Sequence, residues 1–264
     1  MTYQDKVSNL RRRLRELESA VVAFSGGVDS AVLVAVAHEE LKDKMCAATA
    51  ISASMPKRDR EIATAFCKDR KIPHILIETK EFDDPTYVKN PEDRCFFCKK
   101  ALYDAFEDLL KQKSFKYIVE GTNASDLSGH RPGHKASRSR ENVSTPLIDA
   151  GLTKDDVRRF AREMGLDVAD KPSNACLSSR IPTGTRLAPE LLKTIDDAED
   201  VVRALGISQV RVRHHGELAR VEILPDEFAR FLERREEVKN ALLKLGYKFV
   251  TLDVTGYRTG GTQG

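Results

Sequence analysis

The chain has 264 residues, 41% of them hydrophobic and 32% charged, with a net charge of +3 and five cysteines. That length holds one large domain or two smaller ones with an ample core, and so small a charge does not by itself imply a nucleic-acid partner. No stretch is apolar enough to span a bilayer, and the opening MTYQDKVSNLRRRL has no signal-peptide core, so a cytoplasmic protein without a membrane partner is expected. An odd number of cysteines without a secretory signal favours metal or redox chemistry over a disulfide framework.

In chain order, Val7, Leu10, Leu14 and Leu17 recur at helical spacing, which predicts an amphipathic helix near residues 4–18 with Arg11, Arg12 and Arg13 on a solvated face. Val21–Phe24 reads as a strand, Ser25-Gly26-Gly27 as a tight turn, and Asp29 and Ser30 as the opening of an apolar helix. A buried strand is expected at Met45–Ser52, a helix at Arg58–Lys71 and a third strand at His74–Glu78. After the polar stretch Lys80–Pro91, Leu102, Phe106, Leu109 and Leu110 mark a helix, and Tyr117–Glu120 a fourth strand that runs into Gly121-Thr122-Asn123. His130–Ser144 reads as a loop. A helix over Leu152–Met164, capped near Thr153, precedes an irregular stretch, Asp170–Thr185.

The remainder changes character. A helix at Pro189–Leu205 is followed by two alternating strands, Gln209–Arg213 and Ala219–Leu224, that turn at Gly216. A helix at Phe228–Leu245 and a strand at Phe249–Val254 complete it, and the tail TGYRTGGTQG is expected to be disordered in part. The alternation of strands and helices indicates an α/β fold with a doubly wound parallel sheet over residues 1–170. The order after it indicates a smaller α+β domain over 171–264.

The stretch VVAFSGGVDS organises the chain. A strand, a glycine turn and a helix start would aim free backbone N–H groups and the positive end of the helix dipole at one point, an anion site. The glycines let the backbone approach a phosphate, Ser25 and Ser30 add hydroxyls, and Asp29 can hold a metal or cap the helix. The stretch is neither a Walker A loop nor GxGxxG. It resembles the SGGxDS pyrophosphate loop of the ATP pyrophosphatases, the PP-loop family, which split ATP into AMP and pyrophosphate to adenylate a substrate. The resemblance implies ATP with Mg²⁺ on Ala23, Phe24, Ser25, Gly26, Gly27, Val28, Asp29 and Ser30. Ligands of such sheets sit at the carboxyl ends of the strands, which brings Gly121 and Thr122 to the same edge and Thr49–Ala53 beside the adenine.

Cys95 and Cys98 form a CxxC at a helix start, where two thiols can face one ion and the helix N-terminus lowers their pKa. Zinc, redox and iron–sulfur sites share that spacing. Cys176 stands apart in a loop before Ser178, Ser179 and Arg180, while Cys46 and Cys67 read as small buried hydrophobes. Three thiols fall short of a closed zinc site, whereas an iron–sulfur cluster on three would keep one iron open. Arg211 and Arg213 share one strand face; alternation alone equally allows that face to be solvent. His130, His134, His214 and His215 read as polar loop residues rather than ligands.

The segments ACLSSRIPTGT, VRVRHHGELARVEI and FVTLDVTGYRTG, with SGGVDS, resemble the LarE family, PP-loop sulfur transferases of nickel-pincer nucleotide biosynthesis. The resemblance runs along nearly the whole chain. It implies adenylation of a carboxylate of pyridinium-3,5-biscarboxylic acid mononucleotide, then displacement of AMP by sulfur to leave a thiocarboxylic acid, with the family's sulfur-donating cysteine at Cys176. One form of the family sacrifices that cysteine and lacks the CxxC. This chain resembles the other form, which holds a 4Fe-4S cluster on Cys95, Cys98 and Cys176. Such a substrate invites planar bidentate donors, here Arg180, Arg211 and Arg213, with Glu222 to orient an arginine or hold Mg²⁺. A sulfide source or sulfur-carrier protein and a homo-oligomer are implied as well. The alternatives are a tRNA thiolase of the same superfamily, disfavoured by the modest charge and the lack of an RNA-binding module, a non-sulfur PP-loop ligase, and a non-enzymatic zinc or nucleotide-binding protein.

Overall fold

The computed structural model describes residues 1–128, 140–172 and 175–258. His130, His134, most of the loop expected at 130–144 and the end of the C-terminal tail lie outside them. The described elements, in order, are α1 (Tyr3–Glu16), β1 (Ala20–Ala23), α2 (Val28–Leu41), β2 (Met45–Ile51), α3 (Lys57–Asp69), β3 (His74–Glu78), α4 (Pro85–Val88), α5 (Arg94–Lys113), β4 (Tyr117–Val119), β5 (Val143–Ser144), α6 (Pro146–Asp149), α7 (Lys154–Glu163), α8 (Pro189–Arg203), β6 (Val210–His215), β7 (Leu218–Ile223), α9 (Phe228–Glu233), α10 (Arg235–Lys244) and β8 (Phe249–Leu252). Contacts divide them into two units. The first is Met1–Ser52, Lys57–Asp84 and Asp93–Asn174; the second is Ala53–Pro56, Pro85–Glu92 and Ala175–Gly264.

The first unit is built on five parallel strands in the order β3-β2-β1-β4-β5. β1 sits at the centre with Ala20, Val21 and Val22 wholly buried, as a strand covered on both faces requires. From β1 the chain lays strands to one side, β2 then β3, and returns to the other side for β4. The carboxyl ends of β1 and β4 are therefore the topological switch point, where open α/β sheets bind ligands. α2 has no polar face, because Ala31 through Ala37 are all buried in the core. α1 and α7 begin at reciprocal caps, Thr2 with Asp5 and Thr153 with Asp156, each hydroxyl and carboxylate satisfying the other residue's backbone N–H.

The second unit folds α8 against a three-stranded sheet, β6-β7-β8, in which β6 and β7 are antiparallel and β8 joins β7 in parallel. Gly216 turns the hairpin at a φ of +63°. Ala198, Val202, Val212, Val221, Ile223, Phe231 and Leu242 form its core.

Several details differ from the sequence reading, among them the short helix α4 inside the polar stretch Lys80–Pro91. Val143–Ser144, read as loop, is a two-residue edge strand beside β4, too short and polar to show a period. Pro146–Asp149 is a further short helix. The helix expected over Phe228–Leu245 breaks at Arg234, whose φ of −109° and ψ of 16° are not helical. There the Arg234 N–H turns back to the Phe231 carbonyl at 3.1 Å and closes α9, while the Arg234 carbonyl accepts from the Val238 N–H at 3.2 Å and opens α10.

Candidate active site

Phe24 continues β1 by donating its N–H to Ala48 at 2.8 Å, and its ring packs on Phe66. The chain then turns through Ser25, Gly26 and Gly27 into α2. Gly26 has a φ of +72°, and a Cβ there would lie 3.0 Å from the Asp59 carbonyl, so both backbone and space favour glycine. Gly27, at φ −88°, is the N-cap, and no side chain caps the helix. The first-turn N–H groups of α2 are thus left to the loop. The two serines hold the turn's shape: Ser30 Oγ donates to the Gly27 carbonyl at 3.0 Å, accepts from Ser25 N–H at 3.3 Å and lies 3.1 Å from Ser25 Oγ. Asp29 does not cap the helix. It stands in the first turn, where its carboxylate accepts from Asn123 Nδ2 at 3.1 Å and pairs with Lys154.

The segment after β4 closes on this loop. A Cβ on Gly121 would lie 3.1 Å from the Ser30 nitrogen, so the glycine lets this backbone reach the start of α2. Thr122 and Asn123 beside it are buried. Thr122 Oγ1 donates to Glu120 at 3.0 Å, and Glu120 also accepts from Tyr103 Oη at 2.6 Å and Lys99 Nζ at 3.0 Å. Burial pushes the Glu120 carboxyl up, but the Lys99 charge and these hydrogen bonds outweigh it and hold the group below the ordinary glutamate range. On the other side, Lys171 Nζ bridges the Gly26 carbonyl at 3.1 Å and Asp59 at 2.9 Å. Sequence reading missed Lys154 and Lys171. They reach the loop from more than a hundred residues away, and a single lysine in a polar stretch carries no periodic or motif signal.

None of the five cysteines is in a disulfide. Burial pushes the Cys46 thiol up to about 11 and the Cys67 thiol to about 12, so neither is a thiolate near neutral pH. Cys95 and Cys98 occupy the first turns of α5, three residues apart and on neighbouring positions of one helix face. Cys176 belongs to the second unit, where it precedes a 3₁₀ turn, Leu177–Arg180. Among the described residues, no group of three or more His, Cys, Asp and Glu is gathered as metal ligands. Thiolates are the ligands iron–sulfur clusters take, and Cys95, Cys98 and Cys176 are the three cysteines outside the core.

In the second unit Arg180, Arg211 and Arg213 are buried, which excludes a solvent face for Arg211 and Arg213. Arg180, 1% exposed, places Nε and Nη2 on the Glu199 carboxylate at 2.8 and 3.1 Å. Its Nη1 donates to the carbonyls of Ala175 at 2.6 Å and Cys176 at 3.0 Å. Glu199 also accepts from Arg203 and from the backbone N–H of Val212, which satisfies an amide of the edge strand β6. Arg213 forms a bidentate pair with Glu222 at 3.0 and 2.8 Å, and Arg220 adds a third bond at 3.1 Å, so Glu222 orients arginines. Arg211 lies over the Tyr257 ring at 5.2 Å; burial and the neighbouring charge of Arg180 push its guanidinium down to about 10.

Comparison with known proteins covers these features. Residues 19–88, from β1 through the glycine turn to the end of α4, match the family described as queuosine biosynthesis protein QueC. A subunit of the glutamine-hydrolyzing GMP synthase of Thermococcus kodakarensis is 26% identical over 62% of this chain and 56% of its own. Two likenesses run nearly end to end. An uncharacterized protein of Synechocystis is 38% identical over 97% of this chain and 96% of its own. The pyridinium-3,5-bisthiocarboxylic acid mononucleotide synthase of Lactiplantibacillus plantarum is 31% identical over 98% of this chain and 94% of its own. A likeness of that extent takes in both the SGGVDS loop and the buried arginine unit around Cys176, and with them the chain belongs to the LarE family of PP-loop, ATP-dependent sulfur transferases.

Proposed function

We propose that this protein acts in the cytoplasm on pyridinium-3,5-biscarboxylic acid mononucleotide in nickel-pincer cofactor biosynthesis. A substrate carboxylate oxygen attacks the α-phosphorus of Mg·ATP and pyrophosphate leaves. A sulfur nucleophile then attacks the acyl carbon, and AMP leaves with the carboxylate oxygen, giving a thiocarboxylate. The observation that carries this reading is the uncapped start of α2 under Gly26 and Gly27, with Lys154 and Lys171 converging on it. Backbone N–H groups, a helix dipole and two ammonium groups are what a departing pyrophosphate requires. Ala23 through Ser30, with Gly121 and Thr122, would hold the nucleotide.

Arg180, Arg211, Arg213 and Glu222 would receive the acidic substrate. In that set Arg180 acts through the carbonyls of Ala175 and Cys176, and Glu222 by fixing Arg213. Cys95, Cys98 and Cys176 would ligate a 4Fe-4S cluster, which when bound supplies an open iron position able to carry sulfide from a sulfide source or sulfur-carrier protein. A homo-oligomer would bring several such sites together. A second reading makes Cys176 itself the sulfur donor; it is favoured by the placement of Cys176, unlike the other two thiols, in the unit that holds the arginines.

Anaerobic reconstitution of wild type, Cys95→Ala and Cys176→Ala tests both readings, with pyrophosphate release measured in parallel. Roughly four irons per chain in wild type, lost in both variants, supports the cluster. No iron uptake, with a chain lighter by the mass of H₂S after turnover, supports the sacrificial cysteine. Absence of substrate-dependent pyrophosphate release from ATP overturns the proposed reaction.

A further inference from the structure

Glu120 joins two parts of the first unit that the reaction uses separately. It follows β4 directly, is 7% exposed, and is neither a nucleotide-loop residue nor a cysteine neighbour in sequence. One carboxylate oxygen accepts from Thr122, next to the glycine packed against the start of α2. The other accepts from Tyr103 and Lys99, both on α5, and Lys99 is the residue after Cys98. Tyr103 is wholly buried, and the Lys99 ammonium also lies over its ring at 6.0 Å. A single carboxylate thus connects the nucleotide side of the crevice to the helix that carries the CxxC.

We propose that Glu120 is a positioning residue that couples occupancy of the nucleotide loop to the setting of Cys95 and Cys98. The proposal rests on the ATP reading above. The Thr122 hydroxyl has one proton, which it gives either to Glu120 or to a ligand oxygen, not to both. When a nucleotide oxygen takes it, one oxygen of Glu120 loses its donor, and the carboxylate is left to Tyr103 and Lys99. The charge on Glu120 then bears on α5 alone, and the first turns of that helix respond. The path is a contiguous chain of hydrogen bonds with two arrangements, the physical form that coupling between sites takes.

The test uses the full-length chain purified without iron. Iodoacetamide labelling rates of Cys95 and Cys98 are followed by peptide mass spectrometry, with and without Mg²⁺ and a nonhydrolysable ATP analogue whose binding is measured by calorimetry. In wild type, bound nucleotide is expected to change the rates by about fivefold or more. Glu120→Gln keeps the shape of the side chain and should still bind nucleotide, but its labelling rates should no longer respond. Wild-type rates indifferent to bound nucleotide overturn the proposal, as does a Glu120→Gln protein that responds like wild type. If Glu120→Gln does not fold, Lys99→Gln decides by the same readout, since the Lys99 side chain is 27% exposed and outside the core. A wild-type chain that binds no nucleotide overturns the ATP reading itself, a result calorimetry separates from failure of the coupling.

Discussion

Arg180 and Glu199 form an ion pair with no solvent exposure on either side chain, and the same guanidinium carries the carbonyl of Cys176. Two further groups, Arg203 and the Val212 amide, converge on Glu199. Such a pair adds little against an apolar replacement, but removing one partner leaves a buried charge uncompensated. Glu199→Ala is therefore expected to lower stability by about 3–5 kcal/mol, read from the urea midpoint.

The same carboxylate predicts an acid dependence. Burial would raise the Glu199 pKa, but the charge of Arg180 and its hydrogen bonds win, so the folded value lies below the ordinary 4.5. A folded pKa below the unfolded one means that the contribution is whole above 4.5 and is lost as pH falls through the lower folded value. Wild type should lose stability over that acid window, and Glu199→Gln should lose less, measured by urea unfolding at several pH values.

Gly26 and Gly27 separate a backbone requirement from a binding one. Alanine at Gly26 meets a positive φ and the Asp59 carbonyl, and should cost about 1–2 kcal/mol or more. Alanine at Gly27 meets Ser25 Oγ only at 3.5 Å, and its φ is ordinary, so stability should change by about 0.5 kcal/mol or less. If phosphate approaches the bare face of Gly27, ATP affinity falls in that variant while its unfolding curve stays in place. Calorimetry and urea unfolding on both variants check the contrast.

Lys171 holds the Gly26 carbonyl and Asp59 at once. Lys171→Met removes a charge-assisted bond worth about 1.5–3 kcal/mol, so ATP should bind roughly 10- to 100-fold more weakly. Pyrophosphate competition against a fluorescent nucleotide measures the loss. An affinity equal to wild type would place Lys171 outside the anion site.

Thiol counting distinguishes the cysteines. In the folded, iron-free chain Cys95, Cys98 and Cys176 should react with a disulfide reagent near pH 8, while Cys46 and Cys67, pushed up to about 11 and 12, should react only after denaturation. A native count above three overturns the burial argument.

The parallel sheet could be anticipated from Val21-Val22-Ala23 and Met45–Ser52, because strands buried on both faces are continuous apolar runs, and from the half-buried apolar run His74–Glu78 that forms the sheet edge. The glycine turn was equally legible, since Gly26 and Gly27 stand at a strand-to-helix junction. The companions of those residues were not. Lys154, Lys171 and Glu120 acquire their roles from topology, and no local period marks them. Arg211 and Arg213 were visible as an alternating pair, but their burial depends on Glu222 and Tyr257 arriving from other segments. The break at Arg234 was hidden for the opposite reason: the charged run is helical in propensity on both sides.

The residues 53–56 and 85–92 that cluster with the second unit have a consequence for the order of assembly. Asn90 is fully buried, and its side-chain amide is held by the carbonyls of Ile181 and Pro182, while the Gly184 N–H donates to the Asn90 backbone carbonyl. Leu177 donates to Ser54 and Leu187 to Val88. During synthesis these early segments leave the ribosome roughly ninety or more residues ahead of the groups that receive them. The C-terminal unit cannot mature as an independent late module; it waits on two pieces already made, and a gene cut at its apparent start would encode a body missing part of its own interior.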